Sequence, residues 1–193
     1  TRAIIAKERG LEPLAAFISL QSAKEPLERE AQKYVDPEKE VASPEEAIAG
    51  ARDIIAENIS DDADYRSHIR KLTRQKGRLV SKAKDEEAES VYEMYYDFEE
   101  PVTKLAGHRI LAINRGEKEK FLTVKIEAPQ EDILRYLEKK TIHRDNPYTS
   151  PVLREAVEDS YKRLIAPAIE REIRSELTAV SYTHLTLPTT SRV

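Results

Sequence analysis

The stretch SPEEAIAGARDIIAENISDDADYRSHIRKLTRQKG, residues 43–77, carries the clearest helix signals of the chain. Ser43 is a suitable N-cap, Pro44 fits the first helical turn, and Glu46 is placed to complete a capping box. The apolar residues that follow recur at helical spacing and would share one buried face: Ile48, Ala51, Ile55 and Ile59. This pattern predicts an amphipathic helix that is buried on one side.

A second helix is predicted directly after the first. Ser60-Asp61-Asp62 supplies its N-terminal cap, and Gly77 ends it. Its apolar stripe consists of Tyr65, Ile69 and Leu72. Because the link between the two helices is short, the sequence predicts a helical hairpin.

The N-terminal segment continues the helical pattern. Helical spacing of apolar residues runs from about Arg2 to Leu20, and Gly10 with Pro13 divides it into two shorter helices. Residues 21–42 are charged and contain two prolines. They are interpreted as a linker or an irregular wrap.

The middle of the chain contains the only strand signals. Leu79–Lys82 predicts a short strand, and residues 91–98 predict an aromatic-rich helix that Pro101 stops. For the next segment two interpretations stay open. Residues 108–115 form either a strand of a hairpin or a helix with Gly116 as its left-handed C-terminal cap, and residues 121–126 form a strand in both cases. The pattern favours helix then strand.

The longest helix begins at Ser150-Pro151. Its core stripe comprises Leu153, Val157, Tyr161, Leu164, Ile165, Ile169 and Ile173. Pro167 lies inside this pattern and predicts a kink, at a cost of roughly 3 kcal/mol that packing must offset. Residues 179–193 lose the amphipathic period and are interpreted as a non-native or disordered tail. The predicted fold class is mainly α: a multi-helix scaffold with a helical hairpin, a small two-stranded β element and a long kinked C-terminal helix.

Composition excludes several classes of protein. Apolar residues make up 39% and charged residues 35% of the 193 residues, against a usual ~45–50% and ~25%. This balance favours an exposed helical assembly. The absence of cysteine excludes disulfides and thiolate metal sites. No apolar run approaches the ~20 residues needed to span a bilayer, so we expect a cytoplasmic protein with no membrane partner. The missing initial Met indicates a fragment of something longer.

Two opposite charge blocks adjoin each other. Residues 66–84 carry eight basic side chains and no acid, and residues 85–100 carry eight acids and no base. Arginines at positions i, i+4 and i+8 of the second helix form one stripe, and guanidinium groups suit bidentate contact with phosphate. The candidate nucleic-acid-binding residues are therefore Arg66, Arg70, Lys71, Arg74, Lys76 and Arg78. The alternative is that these bases pair with nearby acids, including those of residues 85–100.

Other groups of chemical interest favour structural roles. Four aromatic residues lie among the acids, which repel phosphate, so core or interface packing is expected for them: Tyr92, Tyr95, Tyr96 and Phe98. His68, His108 and His143 do not have the spacing of a zinc site, and Asp61, Asp62 and Asp64 lack the rest of a calcium loop. The common nucleophile, P-loop and dinucleotide motifs do not occur. We expect no enzyme activity, no cofactor and no metal.

Three longer segments add a family resemblance. They are Arg9–Ala15 (RGLEPLA), Gly107–Glu117 (GHRILAINRGE) and Leu153–Leu177 (LREAVEDSYKRLIAPAIEREIRSEL). In order and spacing they resemble the Tex family of bacterial transcription accessory proteins, and the resemblance covers essentially all of residues 1–178.

The resemblance implies that residues 1–178 are a helical N-terminal and central scaffold, which precedes RNase H-like, helix-hairpin-helix and S1 domains. The expected function is a non-catalytic part of a nucleic-acid-binding transcription accessory factor, with an auxiliary phosphate contact from the basic helix. Because the S1 domain is the principal nucleic-acid binder of the family, weak binding of RNA or DNA is expected here. The alternative is a protein-interaction module that docks on RNA polymerase or ribosome-associated partners.

Overall fold

The computed structural model describes the backbone of residues 1–190 and the side chains of residues 1–183. The chain forms two compact units, one of Thr1–Arg66 with Glu131–Ala166, and one of Ser67–Gln130 with the chain from Pro167 onward. The helices in chain order are α1 (Arg2–Glu8), α2 (Glu12–Ser19), α3 (Leu27–Ala31), α4 (Pro44–Asp61), α5 (Ala63–Lys76), α6 (Gly107–Lys118), α7 (Gln130–Thr141), α8 (Ser150–Asp159) and α9 (Ala166–Thr190). The strands are β1 (Arg78–Ala83), β2 (Asp97–Pro101) and β3 (Leu122–Glu127).

Helix α4 is the centre of the first unit, where it packs against α1, α2, α3 and α8. The Ser43 side chain accepts a hydrogen bond from the Glu46 backbone N–H at 3.2 Å, and the Glu46 carboxylate accepts one from Ala42 N at 3.0 Å. The predicted cap is therefore confirmed, with the return bond one residue before the expected one. The buried face of α4 comprises Ala47, Ala51, Ile54, Ile55, Ala56 and Ile59. Its alanines allow neighbouring helices to approach closely.

Glycine is required at one point of this packing. A side chain at Gly50 would overlap the buried Leu11 side chain, which lies in the turn between α1 and α2. That turn is possible because Gly10 adopts a left-handed conformation, with φ of +75°. The predicted division of the N-terminal helix between Gly10 and Pro13 is thus confirmed. Residues 21–42 wrap the unit irregularly, and they bury Leu27 and Val41.

The long C-terminal helical segment contains one irregularity. Ser160–Ile165, between α8 and α9, form a π-helical segment that ends shortly before Pro167. The buried Ser160 hydroxyl donates to the Ala56 carbonyl of α4 at 2.6 Å. The irregularity expected at Pro167 thus takes the form of a π-helical turn, a common way for a helix to absorb a local mismatch.

The second unit contains an antiparallel sheet in the order β2-β1-β3, so the described chain has three strands where the sequence indicated two. Central β1 buries Leu79, Val80 and Ser81, whereas the edge strand β3 alternates buried and exposed residues along its length. Helix α6 packs against β3. The interpretation of helix followed by strand is therefore confirmed. Gly116 lies inside α6, where it makes room for Leu122 and Tyr92, and is not its C-terminal cap.

The predicted helix over residues 91–98 is wrong. Glu93–Tyr95 form a 3₁₀ turn, and Asp97–Pro101 form β2, which pairs with β1 from Lys82 to Arg78. The two tyrosines at helical spacing, Tyr92 and Tyr95, are both buried by the turn. Aromatic residues favour strands as well as helical faces, and pairing with β1 decided between the two.

Helix α9 continues beyond Thr178 to Thr190. Ser181 is buried, and its backbone lies close to Gly107 of α6. The interpretation of residues 179–193 as a non-native tail falls partly outside the described residues, which exclude 191–193 and the side chains of 184–190. It stays a prediction.

Candidate nucleic-acid interface

Asp62 directly precedes the basic helix α5, and its side chain accepts a hydrogen bond from Tyr65 N at 3.0 Å. The helix ends before Gly77, whose N–H donates to the Thr73 carbonyl at 2.8 Å. Both helix ends therefore lie where the sequence placed them. Ile69 and Thr73 are the buried residues of α5, so its basic side chains are distributed over the remaining surface.

Two arginines of the predicted stripe pair with acids of α9. Arg70 Nε lies 2.6 Å from Glu172 Oε2. Arg74 Nε lies 2.9 Å from Glu176 Oε2, and its terminal nitrogen reaches the other Glu176 oxygen, so this pair is bidentate. In both pairs the partners are separated by 102 residues. Two arginines four residues apart on α5 thus pair with two glutamates four residues apart on α9. We call these two ion pairs the α5–α9 ladder.

The ladder lies at the protein surface. The side chains of Arg74 and Glu176 are 47% and 45% exposed, and those of Arg70 and Glu172 are 27% and 36% exposed. The hydrogen bonds that Arg74 donates to the Glu176 carboxylate raise the pKa of Arg74, which remains a cation. Exposed pairs of this kind contribute ~0–1 kcal/mol each, so the arginines can exchange a carboxylate for another anion at small cost.

Two further bases pair within the sheet. Arg78 Nε lies 2.6 Å from Glu99 Oε1, and Lys82 pairs with Asp97 directly opposite it on β2. The hydrogen bond with Asp97 raises the pKa of Lys82. Residues of the acidic block therefore neutralise the strand end of the basic block, while acids of α9 neutralise part of its helix.

The remaining candidates differ in exposure. Arg66 is half-buried, and Lys71 and Lys76 are exposed. Among the described residues, Lys71 has no acidic partner within salt-bridge distance. The structure thus places Arg70, Arg74 and Arg78 against acids and leaves the Lys71 ammonium facing solvent.

Much of the acidic block is exposed. Asp85, Glu86, Glu87, Glu89 and Glu93 lie in the segment between β1 and β2. This segment also exposes two large apolar side chains, with Val91 87% and Met94 65% exposed. It therefore combines negative charge with apolar surface.

The aromatic group is mainly structural, as predicted. Tyr92 packs against Phe121 with ring centroids 5.8 Å apart and donates its hydroxyl to Glu119. Tyr95 packs edge-on against Phe98 at 5.3 Å, and the Arg109 guanidinium lies 5.5 Å from the Phe98 ring centre. These contacts hold the 3₁₀ turn and β2 together.

Sequence reasoning missed the acids that complete the ladder. The four-residue spacing of Glu172 and Glu176 on the long C-terminal helix was a usable signal, because it repeats the spacing of Arg70 and Arg74. Sequence reasoning also missed a second basic segment, Lys139–Arg144 (KKTIHR). This segment comprises the last residues of α7 and the three residues that follow it.

The described residues contain neither a metal-binding cluster nor a membrane-spanning helix. Their His, Asp and Glu side chains include no group of three or more that could hold a metal ion. Within the described part of the chain, no helix is both long enough and apolar enough to cross a bilayer.

The comparisons with known proteins agree on one family. Residues 21–183 match the profile described as Tex central region-like. The chain belongs to this family. The match runs from before α3 to residue 183 within α9, and it therefore includes both the basic helix α5 and its acidic partners in the ladder.

Several curated proteins are similar to this Tex-like chain. The uncharacterized protein YdcI of Bacillus subtilis strain 168 is 50% identical over 180 residues, which cover 92% of this chain and 25% of that protein. Protein tex of Bordetella pertussis is 39% identical over 128 residues, or 65% of this chain and 16% of that protein. The human S1 RNA-binding domain-containing protein 1 is 29% identical over 194 residues, or 93% and 19%. The chain thus spans a quarter or less of the length of these relatives.

Proposed function

We propose that this chain is a non-catalytic helical scaffold of a cytoplasmic Tex-like transcription accessory factor and makes an auxiliary contact with RNA or DNA phosphates through α5. The observation that supports the scaffold role is the α5–α9 ladder, in which the arginine stripe joins two distant parts of the chain. The family match and the similarity to the human S1 RNA-binding domain-containing protein 1 support the nucleic-acid association.

Lys71 is the residue best placed for the phosphate contact. It is exposed and has no acidic partner among the described residues, so its charge is available to an anion. Arg70 and Arg74 would join it only by releasing Glu172 and Glu176. This exchange costs little at the surface, because phosphate replaces one anion by another.

The test is a titration of a labelled single-stranded oligonucleotide at two salt concentrations. We expect weak binding, with Kd roughly 10⁻⁴–10⁻⁶ M, and a Lys71→Gln variant that loses about one phosphate contact, or ~0.7 in the logarithmic salt slope. Lys33→Gln is the matched control, because Lys33 is exposed and its ion pair is a local one with Glu30, three residues away. Unchanged binding in Lys71→Gln, or no binding at low salt, would contradict the phosphate contact.

The ladder needs a separate variant, because neutralising only its arginines would remove the Arg70 and Arg74 charges that face Glu172 and Glu176. Arg70→Gln with Arg74→Gln is therefore compared with the fourfold variant that also carries Glu172→Gln and Glu176→Gln. If the arginines contact phosphate, both variants bind more weakly. If they serve only the scaffold, neither variant changes binding and the double variant alone is less stable.

A second candidate is a protein-interaction module that docks on RNA polymerase or ribosome-associated partners. The internal pairing of Arg70, Arg74 and Arg78 favours it, because paired arginines attract phosphate less strongly. The exposed Val91 and Met94 within the acidic segment offer an apolar contact of the kind that partners cover. Binding to a partner that survives high salt, together with no oligonucleotide binding at low salt, would favour this candidate.

The non-catalytic part of the proposal has its own test. The sequence contains none of the common nucleophile motifs, so a highly purified sample should not hydrolyse RNA or DNA with or without added Mg²⁺. His108 is exposed at the start of α6, and it is the residue to substitute if activity appears. Turnover that His108→Ala abolishes would contradict the proposal.

A further inference from the structure

A cavity of about 270 Å³ opens on the first unit between the ends of several helices. Its apolar wall is formed by Ile55 and Ile59 of α4 with Leu153 of α8, all of them buried. The half-buried Tyr65 ring completes this wall, and its edge-to-face contact with Tyr136 at 6.1 Å holds it in place. Ligand sites for drug-sized molecules occupy roughly 300–1,000 Å³, so this cavity suits one small ring system.

Polar groups converge on the same cavity. Asn58 lines it from α4, Asp62 from the position directly before α5, and Thr141 from the end of α7. The Thr141 hydroxyl oxygen is buried and has no hydrogen-bond partner among the described residues. Buried polar atoms without a partner are uncommon, so this hydroxyl is an unusual polar group in a residue that lines the cavity.

A strained residue fixes the rim of the cavity. Gln21 is 6% exposed and adopts a left-handed backbone with φ of 57°, which is unfavourable for a side chain of its size. Its side-chain nitrogen donates to the Thr141 carbonyl at 2.8 Å, and its oxygen accepts from His143 N at 2.9 Å and Arg144 N at 3.2 Å. Gln21 is therefore a positioning residue, which holds the basic segment at the end of α7 beside the cavity.

That segment supplies positive charge at the opening. Lys140 and His143 line the cavity, and Lys139 and Arg144 adjoin them in sequence. Within the described residues, none of these four side chains forms an ion pair with an acid. Unlike the paired arginines of α5, this basic segment keeps its charge available to an anion.

We propose that this cavity binds one nucleotide of a single-stranded nucleic acid, with an amino-bearing base inside and its phosphate at Lys140 and His143. The apolar wall and the Tyr65 ring would contact the base, as aromatic side chains do in single-strand binders. The Asp62 carboxylate would accept from the exocyclic amino group, because a carboxylate is an acceptor only. This site deepens the proposed nucleic-acid association and rests on it for its natural ligand, but Lys71 does not line the cavity.

Adenosine 5′-monophosphate, adenosine and ribose 5-phosphate are the probes. Backbone amide NMR spectra of the full chain should show shifts at Thr141 and His143 with adenosine 5′-monophosphate, with a Kd on the order of 1 mM. Adenosine should bind the same amides more weakly, and ribose 5-phosphate should not shift Thr141. Equal shifts from ribose 5-phosphate, or none from adenosine 5′-monophosphate at tens of times that concentration, overturn the proposal.

Variants separate a built site from a general charge effect. Lys140→Gln and Tyr65→Leu should each weaken adenosine 5′-monophosphate by about tenfold, whereas Tyr65→Phe should retain most of the affinity. Lys139→Gln is the matched control, because Lys139 carries the same charge one residue away and does not line the cavity. The NMR spectra themselves report whether each variant is folded. Equal losses in Lys139→Gln and Lys140→Gln would overturn the proposal.

The same variants distinguish this site from the phosphate contact of α5. Lys71→Gln should leave adenosine 5′-monophosphate binding unchanged, and Tyr65→Leu should weaken oligonucleotide binding at both salt concentrations without changing the salt slope. If Lys71→Gln has no effect on the oligonucleotide while Tyr65→Leu weakens it, the α5 contact is wrong and the cavity stands. If Tyr65→Leu leaves both ligands unaffected, the cavity proposal is wrong.

Discussion

Arg74 binds both carboxylate oxygens of Glu176, a residue 102 positions further along the chain. Arg70 repeats this relationship with Glu172 at the same separation. Because both partners advance by four residues together, α5 and α9 run in the same direction along their contact. The ladder therefore fixes the register of the two helices as well as their proximity. A shift of either helix by one turn would leave only one arginine opposite a glutamate.

The ladder should couple Arg74 and Glu176 only weakly. In a double-mutant cycle with Arg74→Gln and Glu176→Gln, we expect a coupling energy of ~0–1 kcal/mol, because both side chains are about half exposed. The free energy of unfolding, measured by urea denaturation at low and high salt, provides the values. Salt should reduce the coupling. A coupling of several kcal/mol that resists salt would contradict this and indicate a buried pair.

The sequence was sufficient where one local signal decided the structure. Ser43 and Asp62 each predicted a helix start, and each side chain caps the helix that it begins. Residues 91–98 could not be assigned in this way. Their tyrosine spacing fits a helix, yet β2 forms because its backbone completes the hydrogen bonds of β1, a partner that lies distant in sequence from the local pattern.

The candidate site was predictable in composition but not in pairing. The sequence identified Arg70 and Arg74 as a stripe, but a charge pattern does not show which acid lies opposite it. The partners proved to be on α9, because the tertiary fold brings that helix to α5. The role of Gln21 was equally hidden, since its left-handed backbone and its bonds to residues near 143 exist only in the folded chain.

Asp53 should make the stability of the protein depend on pH. Burial raises the pKa of Asp53 above its model-compound value, and Asp159 adds to this, while Arg163 opposes it. An acid whose pKa is raised in the folded state destabilises the fold when it ionises. The free energy of unfolding therefore rises as the pH falls through the folded-state pKa toward the unfolded-state pKa of ~3.9. Asp53→Asn should therefore increase the free energy of unfolding at pH 7.

The gain from Asp53→Asn should disappear near pH 3, where the wild-type carboxyl is protonated in both states. Asp159 works in the opposite sense. The hydrogen bonds from Arg163 lower the pKa of Asp159, so its contribution is present above ~3.9 and is lost as the pH falls through the lower folded-state pKa. Urea denaturation at pH 7, 5 and 3 measures both effects. Asp61→Asn, at an exposed position of α4, is the control. Equal effects of Asp53→Asn and Asp61→Asn on the free energy of unfolding at pH 7 would contradict the role of Asp53.

Ser160 should stabilise the π-helical segment. Its buried hydroxyl donates to the Ala56 carbonyl at 2.6 Å, so Ser160→Ala removes this bond without adding volume. We expect the free energy of unfolding to fall by about 1 kcal/mol, a typical value for one buried hydrogen bond. Ser175→Ala is the matched control, because Ser175 is exposed on α9. An unchanged stability in Ser160→Ala would show that the bond to Ala56 contributes nothing.

The end of α9 should divide into a part that packs and a part that does not. Sequence analysis interprets residues 179–193 as a non-native or disordered tail, which would be dispensable for stability, but Ser181 is buried and lies against Gly107 of α6. Its hydroxyl also donates to the Leu177 carbonyl at 2.6 Å. We therefore expect a chain ending at Thr183 to keep the full thermal midpoint, and a chain ending at Thr178 to lose several degrees.

The size of that loss follows from the contact. Removing residues 179–183 exposes the surface of α6 around Gly107, and a loss of about 1 kcal/mol shifts the midpoint by ~2–4 °C in a chain of this length. Circular dichroism melting of the two truncated chains and the full chain decides the matter. A matched control is Val180→Ser in the full chain, because Val180 lies next to the buried Ser181 but its own side chain is exposed. Equal midpoints for all of these proteins would support the interpretation of residues 179–193 as a tail that does not contribute to stability. A loss already in the chain ending at Thr183 would instead mean that residues beyond 183 stabilise the fold.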